Sequence, residues 1–545
     1  MQTKDILPIT IFISSLFLFI SGSAQDNLSA LLPYPNKIIT SESVHPFKIP
    51  KDAFIEIESD SLKFEAQYLQ NILKNRLGIT PIICQKSNDQ KHVIRLIINP
   101  SLKNKEHYIL NITENNISIS GPTRGAILYG IITLNQILIG DITHTKQSTI
   151  LPIYIDDQPR IAHRILMLDP ARHFLAIEGI KKYIDQMAKY KFNMLQLHLT
   201  DDQGWRIEIK KYPKLTLIGA AAKRNTSKRE YYSQEQLKNL VKYAADRNVE
   251  IVPELDIPGH TAAIIAAYPD LGCIKTQMPP IKVGKTVNLM LCASNYKVYQ
   301  MYKDIFKEVS AIFPSKWMHL GGDESAIKDN WGKCERCQSL KQKLHYKGGA
   351  PLMNYFFDKM LNFIREDGKS PILWCELDNI RMPANKFLFP YPKDATLVSW
   401  RNGLTPKCIE LSQQSGNQLI LAPGEYTYFD YPQYKNDLPE FNNWGMPITT
   451  LKKVYAFDPG YGLSKNEQLH IIGICGTLWG EAIQDINRAF YMTYPRAMAL
   501  SEAGWTQLKF RDWHSFKERM YPNLTDMLKE GVSYRVPFEI NQQQQ

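Results

Sequence analysis

Between Ile161 and Trp479 the chain repeats one pattern eight times: an apolar run that breaks off in polar or aromatic residues, with helical spacing between runs. The runs are Ile165 to Leu168, Met194 to Leu199, Glu250 to Leu255, Trp317 to Leu320, Pro371 to Trp374, Thr396 to Trp400, Gln418 to Leu421 and Ile471 to Trp479. Ile177 to Tyr190 and Gln234 to Arg247 carry the clearest helical period. Short, continuously apolar runs suit strands buried on both faces, which parallel sheets with helical crossovers produce. Eight of them alternating with helices predict an α/β fold, a (β/α)8 TIM barrel.

Active sites of such barrels lie at the C-terminal ends of the strands, so the residue that ends each run matters most. The endings are Asp169, Asp201-Asp202, Glu254 to Asp256, Asp323-Glu324, Trp374 to Glu376, Trp400, a loop reaching Tyr428 and Asp430, and Trp479 to Glu481. Three tryptophans and many acids on one rim are hard to explain as packing, because buried unpaired charge is costly. Aromatic faces stack on the C–H surfaces of a sugar, and carboxylates bind hydroxyls and transfer protons. The rim therefore reads as a carbohydrate site.

His319-Leu-Gly-Gly-Asp323-Glu324 is the most pointed of these endings. Neighbouring side chains on a strand face opposite ways, so both acids share a pocket only if the chain leaves the strand, which Gly321 and Gly322 permit. Standard glycosidases hold their two carboxyl groups about 5 to 9.5 Å apart across the sugar, a scheme that adjacent residues do not suit. On its own the tetrad fits a helix N-terminus equally well, its acids complementing the helix dipole.

The remainder of the chain frames the barrel. Residues 1–24 combine Lys4, an apolar stretch from Ile6 to Ile20 and the small residues Ser21 to Ala24, the pattern of a cleaved signal peptide. The stretch is too short and too interrupted for a membrane span, so an exported protein without stable membrane insertion is expected. Residues 25–158 read as a small α+β domain: Phe54 to Glu58 and Asn116 to Ser120 alternate with strand period, Leu62 to Leu77 has helical period, and Ala126 to Leu138 forms an apolar helix. The barrel is assigned to 159–505 and a helical tail to 506–545. The net charge of +11 contains no run of five basic residues, which excludes a nucleic-acid stripe and reads as a solvated basic surface. Of eight cysteines, Cys273 and Cys292 bracket a Pro/Lys-rich loop and suggest a local disulfide. Cys334-Glu-Arg-Cys337 has no second such pair and no suitably spaced histidine to complete a metal site, so it reads as a disulfide or two ordinary thiols, and no metal or cofactor is expected.

Four segments in order, Arg164 to Phe174, His198 to Arg206, Val252 to His260 and His319 to Glu324, resemble glycoside hydrolase family 20, the exo-acting β-N-acetylhexosaminidases. The likeness spans about residues 30 to 505 and implies a barrel preceded by an α/β domain. It also accounts for the adjacent acids, since this family is among the substrate-assisted exceptions to the two-carboxylate scheme. By resemblance, Glu324 is the general acid/base and Asp323 orients the substrate's 2-acetamido group. Tyr428 hydrogen-bonds the acetamido carbonyl, and Trp374, Trp400 and Trp479 wall its methyl. Arg164, Asp430 and Glu481 hold sugar hydroxyls, and Asp201 with His260 supports Glu324. Spacing to Asp430 favours Tyr428, with Tyr426 as the alternative. Arg164 stands at the start of its strand while Asp169 and Arg172 lie nearer the mouth, so its assignment rests on the motif and on the reach of arginine. The implied substrate is an oligosaccharide or glycoconjugate ending in β-linked GlcNAc or GalNAc. A lacto-N-biosidase-like enzyme releasing a disaccharide and a catalytically silent glycan-binding barrel are the alternatives.

Overall fold

The computed structural model describes residues 28–539 apart from 41–44, 86–91, 143–148, 221–228, 275–288, 381, 436, 438–445 and 461. The expected leader over 1–24 lies outside the described residues. Among those described, no helix is long and apolar enough to cross a membrane.

The first domain is a seven-stranded mixed sheet in the order Ile38–Thr40, Ile153–Asp157, Tyr108–Ile112, Ile117–Gly121, Val93–Ile98, Phe54–Ile57 and Ile82–Cys84. Tyr108–Ile112 and Ile117–Gly121 alternate buried and half-buried residues, as a sheet with one covered face requires. Two helices, Lys63–Leu77 and Arg124–Ile142, cover it. The second is apolar nearly all round because it is buried on both sides: Ala126 and Ile132 sit in the core of the sheet, while the Gln136 amide reaches the Lys189 carbonyl of the barrel.

The eight runs form a closed parallel barrel. Its strands are β1 (His163–Leu168), β2 (Met194–Thr200), β3 (Glu250–Leu255), β4 (Trp317–His319), β5 (Ser370–Trp374), β6 (Thr396–Ser399), β7 (Gln418–Leu421) and β8 (Ile471–Leu478). Closure is made by β1 against β8, with His163 opposite Gly473 and Leu168 opposite Leu478. Alternate residues fill the interior, among them Ile165, Met167, Val252, Ile372, Val398, Ile420 and Cys475. The others face the helices in one continuous outer core. The interior is thus packed rather than open, and the rim alone is left for chemistry.

The tail forms the helix Trp513–Lys529. It joins the two domains: Asp526 pairs with Arg76 of the first domain at 2.8 Å and with Lys189 of the barrel, and Arg519 pairs with Glu502 at 2.5 Å. The expected Cys273–Cys292 bridge is not formed; all eight cysteines are free thiols, and the Cys273 sulfur lies 3.7 Å from that of Cys337 instead. The loop ends do meet, through an antiparallel bridge of Gly272 with Leu291, but a third segment supplies the sulfur neighbours.

Candidate active site

The chain leaves β4 in a sharp left-handed turn. Gly321 and Gly322 have φ of +64° and +103°, and a Cβ on Gly321 would fall 1.7 Å from Asp256 Oδ1. The space that a side chain would take is used by that carboxylate, which accepts the Gly322 N–H at 3.2 Å. Glu324 also has a positive φ, +45°, a conformation that an ordinary residue holds only when its surroundings impose it. The turn brings both acids to one side: Asp323 is buried, the Glu324 side chain is half exposed, and oxygens of the two approach His260 Nε2 at 3.8 and 3.7 Å. The nitrogen and one oxygen of each acid lie within 4.8 Å of one another. Two carboxylates so close cannot straddle a sugar ring, which leaves them different tasks.

A charged network stands behind them. His260 Nδ1 meets Asp201 Oδ1 at 3.3 Å; the other Asp201 oxygen takes Arg172 at 2.8 Å and His198 Nε2 at 2.8 Å. Arg172 also pairs with Asp169 at 3.0 Å. Burial works against the cation on His260, but the carboxylates of Asp201, Asp256 and Asp323 raise its pKa well above the normal histidine value. Burial likewise lifts the pKa of Asp323 above the usual aspartate range, against the pull of His260 and with a further push from Glu324.

The aromatic residues close the pocket. The Trp374 ring lies 5.7 Å from Trp479 and 6.4 Å from Trp400, and Trp400 stacks parallel to Tyr428 at 6.5 Å. Trp374 is fixed by its indole N–H, donated to Glu254 Oε1 at 2.7 Å. Asp430, at the end of the same short loop as Tyr428, accepts the Trp479 backbone N–H at 3.5 Å. Glu481 follows β8 and faces the charge of Arg172; burial raises its pKa and Arg172 opposes the shift. Tyr426 is excluded as the alternative to Tyr428, because it points away to stack on Phe457 at 5.6 Å. Four buried polar atoms here, Asp323 Oδ1, Tyr428 OH, Trp400 Nε1 and Glu481 Oε2, have no hydrogen-bond partner among the described residues.

Of the site residues expected from sequence, Asp323, Glu324, Tyr428, Trp374, Trp400, Asp430, Trp479, Glu481, Asp201 and His260 gather at this rim. Arg164 does not. It is the second residue of β1 and fully buried at the opposite end, where its guanidinium donates to the carbonyls of Lys191, Ile161 and Ala162, pairs with Glu106 at 2.8 Å and lies over Trp505. At about 3.3 Å per residue, the five residues from Arg164 to Asp169 put it some 16 Å below the mouth, beyond the reach of its side chain. The arginine of this segment that does reach the rim is Arg172, whose guanidinium lies 5.0 Å over Trp479. Its signal was its place after the strand.

Sequence reasoning counted Glu254 and Glu376 among the rim acids without an individual role, and gave none to His198 or Arg401. His198 sits within 2.8 Å of Asp201 and 2.9 Å of Glu254, linking the acid network to the tryptophan wall. Glu376 and Arg401 form a bidentate pair at 2.9 and 3.1 Å that braces Trp400, 4.0 Å beneath the guanidinium. A cleft of about 1000 Å³ lined by Glu65, Arg124, His163 and Glu250 lies at the other end of the barrel, against the first domain, and holds none of these groups.

Comparison with known proteins agrees with the geometry. The profile described as "Glycosyl hydrolase family 20, catalytic domain" matches residues 161–508, and "Glycosyl hydrolase family 20, domain 2" matches 28–158. A beta-hexosaminidase of Akkermansia muciniphila is 36% identical over 430 residues, 77% of this chain and 84% of that protein. The structure of an exo beta-N-acetylglucosaminidase of Vibrio harveyi in complex with N-acetylglucosamine superposes with a TM-score of 0.81 at 29% identity, over 94% of this chain and 79% of that one. The N-acetyl-beta-hexosaminidase of Streptomyces plicatus gives 0.81 at 26% identity, over 95% and 98%. The two profile matches, which together span the first domain and the barrel, show that this chain belongs to glycoside hydrolase family 20.

Proposed function

We propose that the rim pocket hydrolyses terminal, non-reducing β-linked N-acetylhexosamines, GlcNAc or GalNAc, with retention, and that the substrate's own acetamido oxygen is the nucleophile. The observation that carries this reading is the set of four buried polar atoms without partners, on Asp323, Tyr428, Trp400 and Glu481, set among three tryptophans. Such atoms cost stability unless a polar ligand satisfies them, and the apolar walls call for C–H and methyl surface beside it. An acetamido sugar supplies both. The ligand in the Vibrio structure is of this class.

In this mechanism the acetamido carbonyl oxygen attacks C1 as the glycosidic C–O bond breaks, and Glu324 gives its proton to the departing oxygen. Asp323, as carboxylate, accepts the acetamido N–H and offsets the charge of the oxazolinium ion, while the Tyr428 hydroxyl donates to the carbonyl oxygen that makes the attack. Water then adds to C1 as the oxazolinium C1–O bond breaks and re-forms the acetamido group, and the water's proton passes to Glu324, which restores the enzyme. Asp201 holds His260 against both acids. Arg172, Asp430 and Glu481 take the sugar hydroxyls, with Arg172 in the place expected for Arg164. The intact pair of acids supports turnover over silent glycan binding. The leader pattern in residues 1–24 supports an exported enzyme.

The test separates the two acids. In kcat/KM, which reports cleavage of the glycosidic bond, Glu324→Gln should lose about 10²- to 10⁴-fold on a disaccharide but little on an activated aryl glycoside, whose leaving group needs little protonation; kcat falls on both, because the water step also uses Glu324. Asp323→Asn should lose similarly on both, and a β-glucoside lacking the acetamido group should be nearly inert. Equal turnover of glucoside and N-acetylglucosaminide, or a sugar ester trapped on either acid, would show that the enzyme supplies its own nucleophile.

A further inference from the structure

We propose that Cys273, Cys292, Cys334 and Cys337 form a closed structural zinc site that anchors the loop leading away from the catalytic acids. The four come from three separate stretches of chain. Cys273 follows the turn Pro269–Leu271, Cys292 precedes the helix Tyr296–Ile312, and Cys334 and Cys337 open the helix Glu335–Lys343. Their sulfurs all lie within 4.8 Å of one another. In a tetrahedral thiolate site with Zn–S of about 2.3 Å, neighbouring sulfurs are about 3.8 Å apart. The separations are 3.6 Å for Cys292–Cys337, 3.7 Å for Cys273–Cys337 and 3.9 Å for Cys292–Cys334. Paired disulfides would give two S–S distances of about 2.0 Å with the other sulfurs further off. Here Cys292 and Cys337 each approach two partners almost equally, as the corners of one tetrahedron do.

The surroundings suit a site of net charge −2. Cys334 stands at the N-cap position and Cys337 in the first turn of its helix, so both sit at the positive end of the dipole, which favours thiolate. The Ser294 hydroxyl is 3.2 Å from the Cys292 sulfur and 3.8 Å from that of Cys337. Arg336 brings a guanidinium that interacts with Cys292, Cys334 and Cys273 and donates to the Gly272 carbonyl at 3.1 Å. Cys292 and Cys337 are buried and the other two partly so, and four sulfurs are the number that fills a tetrahedral shell. Soft thiolates in tetrahedral array select zinc, and four protein ligands mark a structural rather than a catalytic ion.

Position gives the site its purpose. The segment from Glu324 to Cys334 has its far end fastened here, helped by the Trp331 indole on the Leu291 carbonyl at 2.8 Å and the Met290 N–H on Asn330 at 3.1 Å. Glu324 begins that segment in a left-handed conformation that needs support from both sides.

The full chain, purified without chelating resin or an affinity tag, should carry about one zinc per molecule by plasma mass spectrometry, released on titration with an organomercurial. Cys334→Ser/Cys337→Ser should lose the metal and lower Tm. Cys84→Ser, at a cysteine outside the cluster, should keep it. The readout is metal content, so it does not depend on the hydrolase reading. A metal-free protein, with the four thiols either all alkylated by iodoacetamide without reductant or joined in disulfides on non-reducing peptide maps, would overturn the proposal.

Discussion

Protonation in the pocket is set residue by residue. Asp323 must be ionised to accept the acetamido N–H, yet burial raises its pKa, so the acid limb of kcat/KM should lie above the ordinary aspartate range. The His260 cation acts in the opposite sense and lowers that pKa. Removing the cation with His260→Gln therefore raises the Asp323 pKa further, and activity should fail at higher pH than in the wild type. The measurement is the pH profile of kcat/KM on an activated aryl N-acetylglucosaminide, where leaving-group protonation matters least. An unmoved acid limb would mean that His260 does not face Asp323 as a cation.

At the scale of elements, the turn after β4 decides the geometry of catalysis. Gly321 combines a positive φ with a Cβ position already filled by Asp256, so no other residue fits without moving that carboxylate. Gly321→Ala should add about 1–3 kcal/mol of backbone strain. It should also shift Asp323 and Glu324, and a displacement of about 1 Å at reacting groups costs on the order of 10²-fold in rate. Thermal unfolding with kcat tests both parts. The expected result is a modest fall in Tm with a much larger fall in kcat, and a variant of unchanged kcat would show that the turn tolerates a side chain.

Across the whole molecule, two arginines only eight residues apart serve opposite ends of the barrel. Arg164 ties the bottom to the first domain through Glu106 and the Tyr129 hydroxyl, beside a second buried cation, Lys191, 3.4 Å from Asp157. Arg164→Gln removes one partner of a largely buried pair and should cost about 3–5 kcal/mol of stability, with KM unchanged in the folded fraction. Arg172→Lys keeps a charge but loses the fork that spans Asp169 and Asp201, and should raise KM about ten-fold or more. Denaturant unfolding and steady-state kinetics on the two variants distinguish the roles. A raised KM in Arg164→Gln would return that residue to the substrate.

Periodicity and strand endings in the sequence determined the barrel, its rim and most of the pocket, because a buried parallel strand has to be continuously apolar and has to end where chemistry begins. Asp323, Glu324, Trp374, Trp479 and Glu481 were legible for that reason, each lying at or just past such an end. Arg164 was misplaced because a motif names residues without saying which end of a strand they occupy, and strand direction gave that end to Arg172. The links of His198 to Glu254 and of Glu376 to Arg401, and the meeting of four cysteines from three segments, had no local signature. They depend on which loops barrel closure brings together, and closure is fixed by register and packing across the whole chain rather than by the spacing of residues along it.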